Sequence, residues 1–234
     1  MTPVFLKEGI SMAIDVTIQS LYALEHTLAK EYLEGFVHPW EALSGIGDLI
    51  RALGPTLDPE VYEQTAPQVW VAKSACVAPT ATILPPTIVG PGTDIRPGAF
   101  IRGCALIGQR VVVGNSTELK NVILFDEVQV PHYNYVGDSI LGYRAHLGAG
   151  AITSNFKADH SKVSIKAPGG LIWETGRNKV GAMLGDRAEV GCNSVLNPGT
   201  VIGRDTIIYP LSSIRGVIPG RHIYKRQDVL VIRK

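Results

Sequence analysis

Thr87-Ile88-Val89, Thr93-Asp94-Ile95, Ala99-Phe100-Ile101 and Ala105-Leu106-Ile107 follow one another at intervals of six residues. The last residue of each triplet belongs to a longer series: Val71, Val77, Ile83, Val89, Ile95, Ile101, Ile107, Val113 and Leu119. Val, Ile and Leu supply 65 of the 234 residues, so nine such positions in succession arise by chance on the order of once in a hundred thousand. Two residues before each stands a small or β-branched side chain: Val69, Ala75, Ala81, Thr87, Thr93, Ala99, Ala105, Val111 and Thr117. The series slips by one to Leu124, runs through Val130 and Val136, slips again to Leu141 and resumes at Leu147. It returns as Leu184, Val190, Leu196, Ile202, Ile208 and Ile214.

A six-residue repeat predicts a parallel β-helix, in which three hexads close one triangular coil of 18 residues. Twenty hexads give six to seven coils, a prism about 30 Å long at the strand spacing. The aliphatic of each hexad points inward and stacks on its counterpart one coil away. A sandwich would show period-two alternation and irregular turn spacing instead. Gly90, Gly108 and Gly114 follow hexad aliphatics, where the chain is expected to turn corners that glycine tolerates.

Composition agrees. Aromatic residues make up 7% of the chain and charged residues 18%; a narrow prism has little room for rings. The aliphatic content excludes a disordered chain. A formal net charge of +1 argues against a protein that wraps nucleic acid. Three widely spaced cysteines fit a reducing compartment rather than a disulfide scaffold. No apolar run approaches the length of a membrane helix, and Met1–Glu8 carries no basic segment before an apolar run. A soluble, cytoplasmic protein is expected.

Outside the repeat, residues 1–67 form a helical N-terminal segment. Pro39 opens a helix that runs through Ile46, Ile50 and Leu53 to a stop at Gly54, and Asp15 to Leu33 is a second helical stretch. This segment is expected to pack on the first coil, because an open end of a parallel stack must be covered. Residues 68–218 are the β-helix, interrupted by a polar loop at 154–181 that should project and carry function. Residues 219–234 form a tail whose Val229-Leu230-Val231-Ile232 closes the far end.

The repeat frame places side chains. Arg102 and Lys120 are one coil apart, and with no sequence-local acid between them they suggest an anion site or, equally, a solvated ladder. Arg96 and His132 share a face two coils apart, about 10 Å along the axis, a span that suits a small phosphorylated molecule. His132 stands in Pro131-His132-Tyr133-Asn134-Tyr135, ahead of the Gly148-Ala149-Gly150 turn and Asn155 at the mouth of the loop.

Arg96-Pro97-Gly98-Ala99, Glu118-Leu119-Lys120-Asn121, Pro131 through Ser139 and Gly148 through Asn155 occur in that order. Together they resemble the left-handed β-helix acetyltransferase domain of the bifunctional sugar-1-phosphate nucleotidylyltransferase/acetyltransferases, over roughly 69–218. Thr175 through Ala182 resembles the archaeal-type members, and His38 through Leu43 looks like the junction that follows their nucleotidylyltransferase domain. Nothing matches that domain's nucleotide loop, so UTP-dependent activity is not expected.

The resemblance implies a left-handed, all-β, single-stranded parallel β-helix that transfers acetyl from acetyl-CoA to the amine of a glucosamine-1-phosphate-like sugar. His132 aligns with the general base, a task that imidazole suits near neutral pH. Arg96 and Lys120 align with phosphate-holding residues, and Tyr135 and Asn155 with sugar contacts. Ala149 and Cys192 fall at the acetyl-CoA site, Cys192 replacing a Ser. The family assembles as homotrimers with the site between neighbouring prisms.

Three positions depart from the family pattern. His146 replaces Asn and Phe156 replaces Tyr, while Ser161 stands where a loop lysine is expected, with Lys162 one residue away. These changes motivate a second reading, a non-catalytic trimer that binds a sugar phosphate or a protein partner. A zinc-dependent β-helical carbonic anhydrase would need three clustered histidines; His132 and His146 are 14 residues apart and His160 lies in the loop, so no metal is expected.

Overall fold

A computed structural model describes residues 14–226 and 229–232; Met1–Glu8, read above for a targeting segment, lies outside them. The repeat forms a left-handed parallel β-helix with three sheet faces. On the first face Val69–Ala72, Thr87–Val89, Ala105–Ile107, Val122–Leu124, Ser139–Leu141, Ala182–Leu184, Thr200–Ile202 and Val217–Ile218 pair in parallel register. The second face runs in the same way from Cys76–Val77 to His222–Arg226, and the third from Thr82–Ile83 to Ser213–Ile214.

The stack therefore holds between seven and eight coils rather than six to seven. The difference lies in inward positions that are not in the aliphatic series. Thr153 occupies one of them, paired with Val136 and Leu196. Its hydroxyl accepts from the Gly137 backbone N–H at 2.9 Å and meets Ser139 Oγ at 3.2 Å, so a polar group sits inside without an unmet hydrogen bond. Tyr224, opposite Ile208, fills another at the last coil.

The corner glycines have a different reason from the one expected. Gly90, Gly108 and Gly114 do not take positive φ, whereas Arg110, Glu127, Arg144, Asn193 and other non-glycine corner residues do. A Cβ on Gly90 would strike the Gly108 carbonyl, one on Gly108 would lie 2.7 Å from the Asp126 nitrogen, and one on Gly114 would strike the Pro131 carbonyl. These glycines admit the close approach of the next coil.

The N-terminal segment covers the first coil with Tyr62–Ala66, which pairs antiparallel with Val69–Ala72, and its helices lie along the side of the prism. Between each inward aliphatic and its small partner on the first face stands an outward one: Ile88, Leu106, Ile123, Ile140, Met183 and Val201. All six are buried. The helices Ile18–Leu21, Lys30–Glu34 and Ile46–Leu53 and the 3-10 turn Pro39–Gly45 cover this stripe with Ile18, Leu21, Leu33, Trp40, Leu43, Ile46 and Ile50. Burying six such side chains is worth on the order of 10 kcal/mol, which makes the segment a structural brace.

Polar contacts fix its position. Asp186, fully buried, accepts from the backbone N–H groups of Ala23 at 2.8 Å and Tyr143 at 2.9 Å, and Asp126 N donates to His26 O at 3.0 Å. Asp15 to Leu33 is not one helix but two short ones joined by a 3-10 turn at Leu24–His26, because its apolar residues follow the coils beneath. The α-helix ends at Leu53 with Gly54 as its C-cap, as expected, and although Gly54 keeps helical φ and ψ only a short 3-10 turn, Gly54–Thr56, follows. The missing side chain of Gly54 makes room for the Trp70 ring.

The 154–181 loop does not project freely. Ser164–Lys166 and Ile172–Glu174 form an antiparallel hairpin. Val163 and Ile165 are buried against Gly199, where a Cβ would lie 2.8 and 3.1 Å from them, and Trp173 approaches Trp40 with ring centroids 6.4 Å apart. At the far end, Val229–Ile232 pairs antiparallel with His222–Arg226. No helix among the described residues is long and apolar enough to cross a membrane.

Candidate active site

The corner between the second and third faces carries a column built by register alone. Val130, Leu147 and Val190 stack on one another, so two residues later His132, Ala149 and Cys192 follow at one-coil intervals, about 5 Å each. Backbone ladders continue through them: Gly150 N donates to His132 O at 3.0 Å, Asn193 N to Ala149 O at 2.8 Å and Leu211 N to Cys192 O at 2.9 Å. The sequence-predicted base and the two predicted acyl-CoA residues thus share one edge of the prism.

His132 is exposed and its imidazole makes no hydrogen bond among the described residues. Its backbone, by contrast, is held. Asn134, buried, accepts from His132 N at 3.1 Å through Oδ1 and donates to Gly148 O at 2.9 Å and Ala151 O at 3.0 Å. A free ring on a clamped backbone is an arrangement suited to proton transfer.

On the third face, beginning three residues after His132, a polar cluster gathers Tyr135, Lys120 and Asn155. At its centre is Asp138, which the sequence reading did not single out. Its side chain is 5% exposed and lies 3.3 Å from Lys120 Nζ. Asn121 Nδ2 donates to it at 2.8 Å and Asn155 Nδ2 at 2.5 Å; Asn155 Nδ2 also donates to Tyr135 Oη at 3.2 Å. Burial, followed by the charges of Asp138 and Glu118, raises the Tyr135 hydroxyl above the usual tyrosine value, so it stays protonated. The signal for Asp138 was available in the spacing: it stands 18 residues after Lys120, one coil on.

The predicted cations are not unpaired. Arg102 Nη1 lies 2.7 Å from Glu118 and Arg96 Nε 2.8 Å from Asp94. Asp94 is two residues from Arg96 on the same coil, whereas Glu118 reaches Arg102 from the adjacent coil, 16 residues on, a partnership that sequence distance hides. Arg96 engages Asp94 only through Nε, leaving its terminal amino groups outward, and Lys120 retains donors beyond those that face Asp138.

His146 lies on the second face, away from the His132 corner, with Nδ1 2.8 Å from Glu189. Lys162 is exposed at the foot of the hairpin, and its ammonium has no partner among the described residues. The nearby Lys157 donates to Ser161 Oγ at 2.5 Å. Phe156 packs edge-on to His160, with centroids 5.0 Å apart. No group of three or more metal-ligating side chains comes together among the described residues.

Comparison with known proteins connects this segment to a group. Residues 85–168 match the family model of the GMPPB C-terminal domain. The bifunctional protein GlmU of Methanococcus maripaludis strain C5 is 34% identical over 122 residues, 52% of this chain and 29% of that protein. The bifunctional sugar-1-phosphate nucleotidylyltransferase/acetyltransferase of Sulfurisphaera tokodaii is 35% identical over 98 residues, 42% of this chain and 24% of its own length. An uncharacterised acetyltransferase of Escherichia coli, YaiX, is 31% identical over 120 residues, 51% of this chain and 52% of that protein. The chain thus spans between a quarter and a half of the length of these relatives. Over the matched stretches it is similar to them, in agreement with the resemblance in its motifs.

Proposed function

We propose that the protein is an acetyl-CoA-dependent N-acetyltransferase acting on an amino-sugar 1-phosphate, with His132 as general base. The observation that carries this reading is the corner column: an unpaired imidazole on a rigid edge, in line with Ala149 and Cys192 and adjacent to the Tyr135–Asn155 cluster. The names of the relatives, two of them acetyltransferases, support the same chemistry.

In this reading the acyl donor lies along the edge beside Ala149 and Cys192. The sugar lies over the third face, with its phosphate towards Arg96 and Lys120 and its hydroxyl groups towards Tyr135 and Asn155; Lys162 flanks it, whereas His146, on the second face, does not. The amine attacks the thioester carbonyl carbon, a C–N bond forms, and His132 accepts the proton that the nitrogen loses. The C–S bond then breaks and the coenzyme A thiolate leaves, taking a proton from the imidazolium or from water. Because one prism presents this edge openly, a neighbouring copy in a homotrimer would supply the facing wall.

Purified protein incubated with acetyl-CoA and glucosamine-1-phosphate or galactosamine-1-phosphate should release thiol, and His132→Ala should lower the rate at least a hundredfold. No release with either sugar, or an unaffected variant, rejects the proposal. The acids beside Arg96, Lys120 and His146 favour a second reading, a trimer that binds a sugar phosphate without turnover. Calorimetric binding in the absence of thiol release would select it.

A further inference from the structure

Asp138 lies at a corner in the left-handed backbone region, with φ of +48°, and is almost fully buried. Its one formal positive partner is Lys120, and two neutral amides complete its shell. The Asn155 amide nitrogen carries two hydrogens. One goes to Asp138 and the other to the Tyr135 hydroxyl oxygen. Were the amide turned over, its carbonyl oxygen would face the carboxylate, placing two acceptors against each other in a buried site. The carboxylate therefore selects one orientation of Asn155.

That orientation has a consequence for Tyr135. Its oxygen already accepts from Asn155, so its own O–H is directed elsewhere and is available to donate to a ligand. The geometry leaves little slack: a Cβ on Gly137 would lie 2.5 Å from Tyr135 Oη and 2.9 Å from Asn155 Nδ2. Resting on the acetyltransferase reading above, we infer that Asp138 is a positioning residue that sets the Asn155 amide and thereby makes the Tyr135 hydroxyl a donor to an oxygen of the amino-sugar phosphate. Lys120 takes part from the same carboxylate, which holds its ammonium at the edge of the cluster.

The test compares Asp138→Asn, Tyr135→Phe and the double variant. Each single change should raise KM for the amino-sugar phosphate about tenfold, leave KM for acetyl-CoA within about twofold, and the double should be no worse than the singles. Multiplying effects, or an equal rise in both KM values, overturn the inference. Should Asp138→Asn fail to fold, Asn155→Ala breaks the same chain at its middle and carries the same expectations with Tyr135→Phe. Crystal structures of wild type and Asp138→Asn give a readout independent of turnover. The Asn155–Tyr135 hydrogen bond should be present in the first and lost in the second, and its persistence in both overturns the inference. A wild type without transferase activity defeats the acetyltransferase reading, while these structures still decide the role of Asp138.

Discussion

Asn134 holds His132 through the main chain: its Oδ1 accepts from the His132 backbone N–H at 3.1 Å, while its Nδ2 reaches one coil further to Gly148 O and Ala151 O. One buried amide thus aligns the strand that carries the imidazole with the turn that carries Ala149. Asn134→Ala leaves two carbonyl oxygens short of a donor, at a cost of about 2–4 kcal/mol. The melting temperature should fall, and the rate of thiol release should fall with it, although no reacting group has been removed. An unchanged rate would show that the clamp does not orient the base.

Ile123 stands in the outward stripe between the prism and the brace, and it is fully buried. Truncation to Ala should cost about 2–5 kcal/mol, measured by chemical denaturation. A change at exposed Thr82, on the uncovered third face, should stay within about 0.5 kcal/mol. Equal effects at the two positions would contradict the role of the brace.

Glu127 accepts from Arg110 Nη2 at 2.8 Å and Arg144 Nε at 2.6 Å, and these hydrogen bonds hold its carboxyl below the usual glutamate value. An acid depressed in the folded state stabilises above its unfolded value, about 4.3, and loses that contribution as pH falls through the folded value. Wild type should melt above Glu127→Gln at pH 7, with the gap closing as pH is lowered below about 4. A gap that widens on acidification would reverse the assignment.

Gly114 precedes the Pro131–His132 strand by one coil, and a Cβ there would collide with the Pro131 carbonyl. Gly114→Ala should displace the His132 edge and lower thiol release at least tenfold, whereas Gly169→Ala meets no neighbouring atom within 4 Å and its positive φ strains only the hairpin turn, so it should leave the rate within about twofold. Comparable losses in both variants would mean that the coil spacing does not govern the site.

The aliphatic hexads made the prism legible, because a periodic interior imposes a periodic sequence. Thr153 and Tyr224 escaped the count because a bonded hydroxyl and a terminal ring also fit inside. The outward stripe was equally written at intervals of 18, 17 and 17 residues in Ile88, Leu106, Ile123 and Ile140, but its meaning depends on knowing which hexads share a face. Once that is known, the lateral position of the helices follows, and side-covering is added to the end-covering that Tyr62–Ala66 supplies. In the site, register alone aligns His132 with Ala149 and Cys192. Asp138 beside Lys120 and Glu118 beside Arg102 were missed because charge pairing in a coil is read 16 to 18 residues away, not among neighbours; Asp94, two residues before Arg96, was in plain view.

A solenoid whose coils touch only their neighbours unravels from its ends, each turn opening nearly independently of the rest. The brace changes that behaviour here. By lying across successive coils, with Tyr22 against Phe125 at one level and His26 against Tyr143 at the next, it ties the opening of one turn to the opening of those beside it. Amide protons of the middle coils should therefore exchange with solvent as a block, through one shared opening event, and the His132 edge inherits the protection of the whole stack.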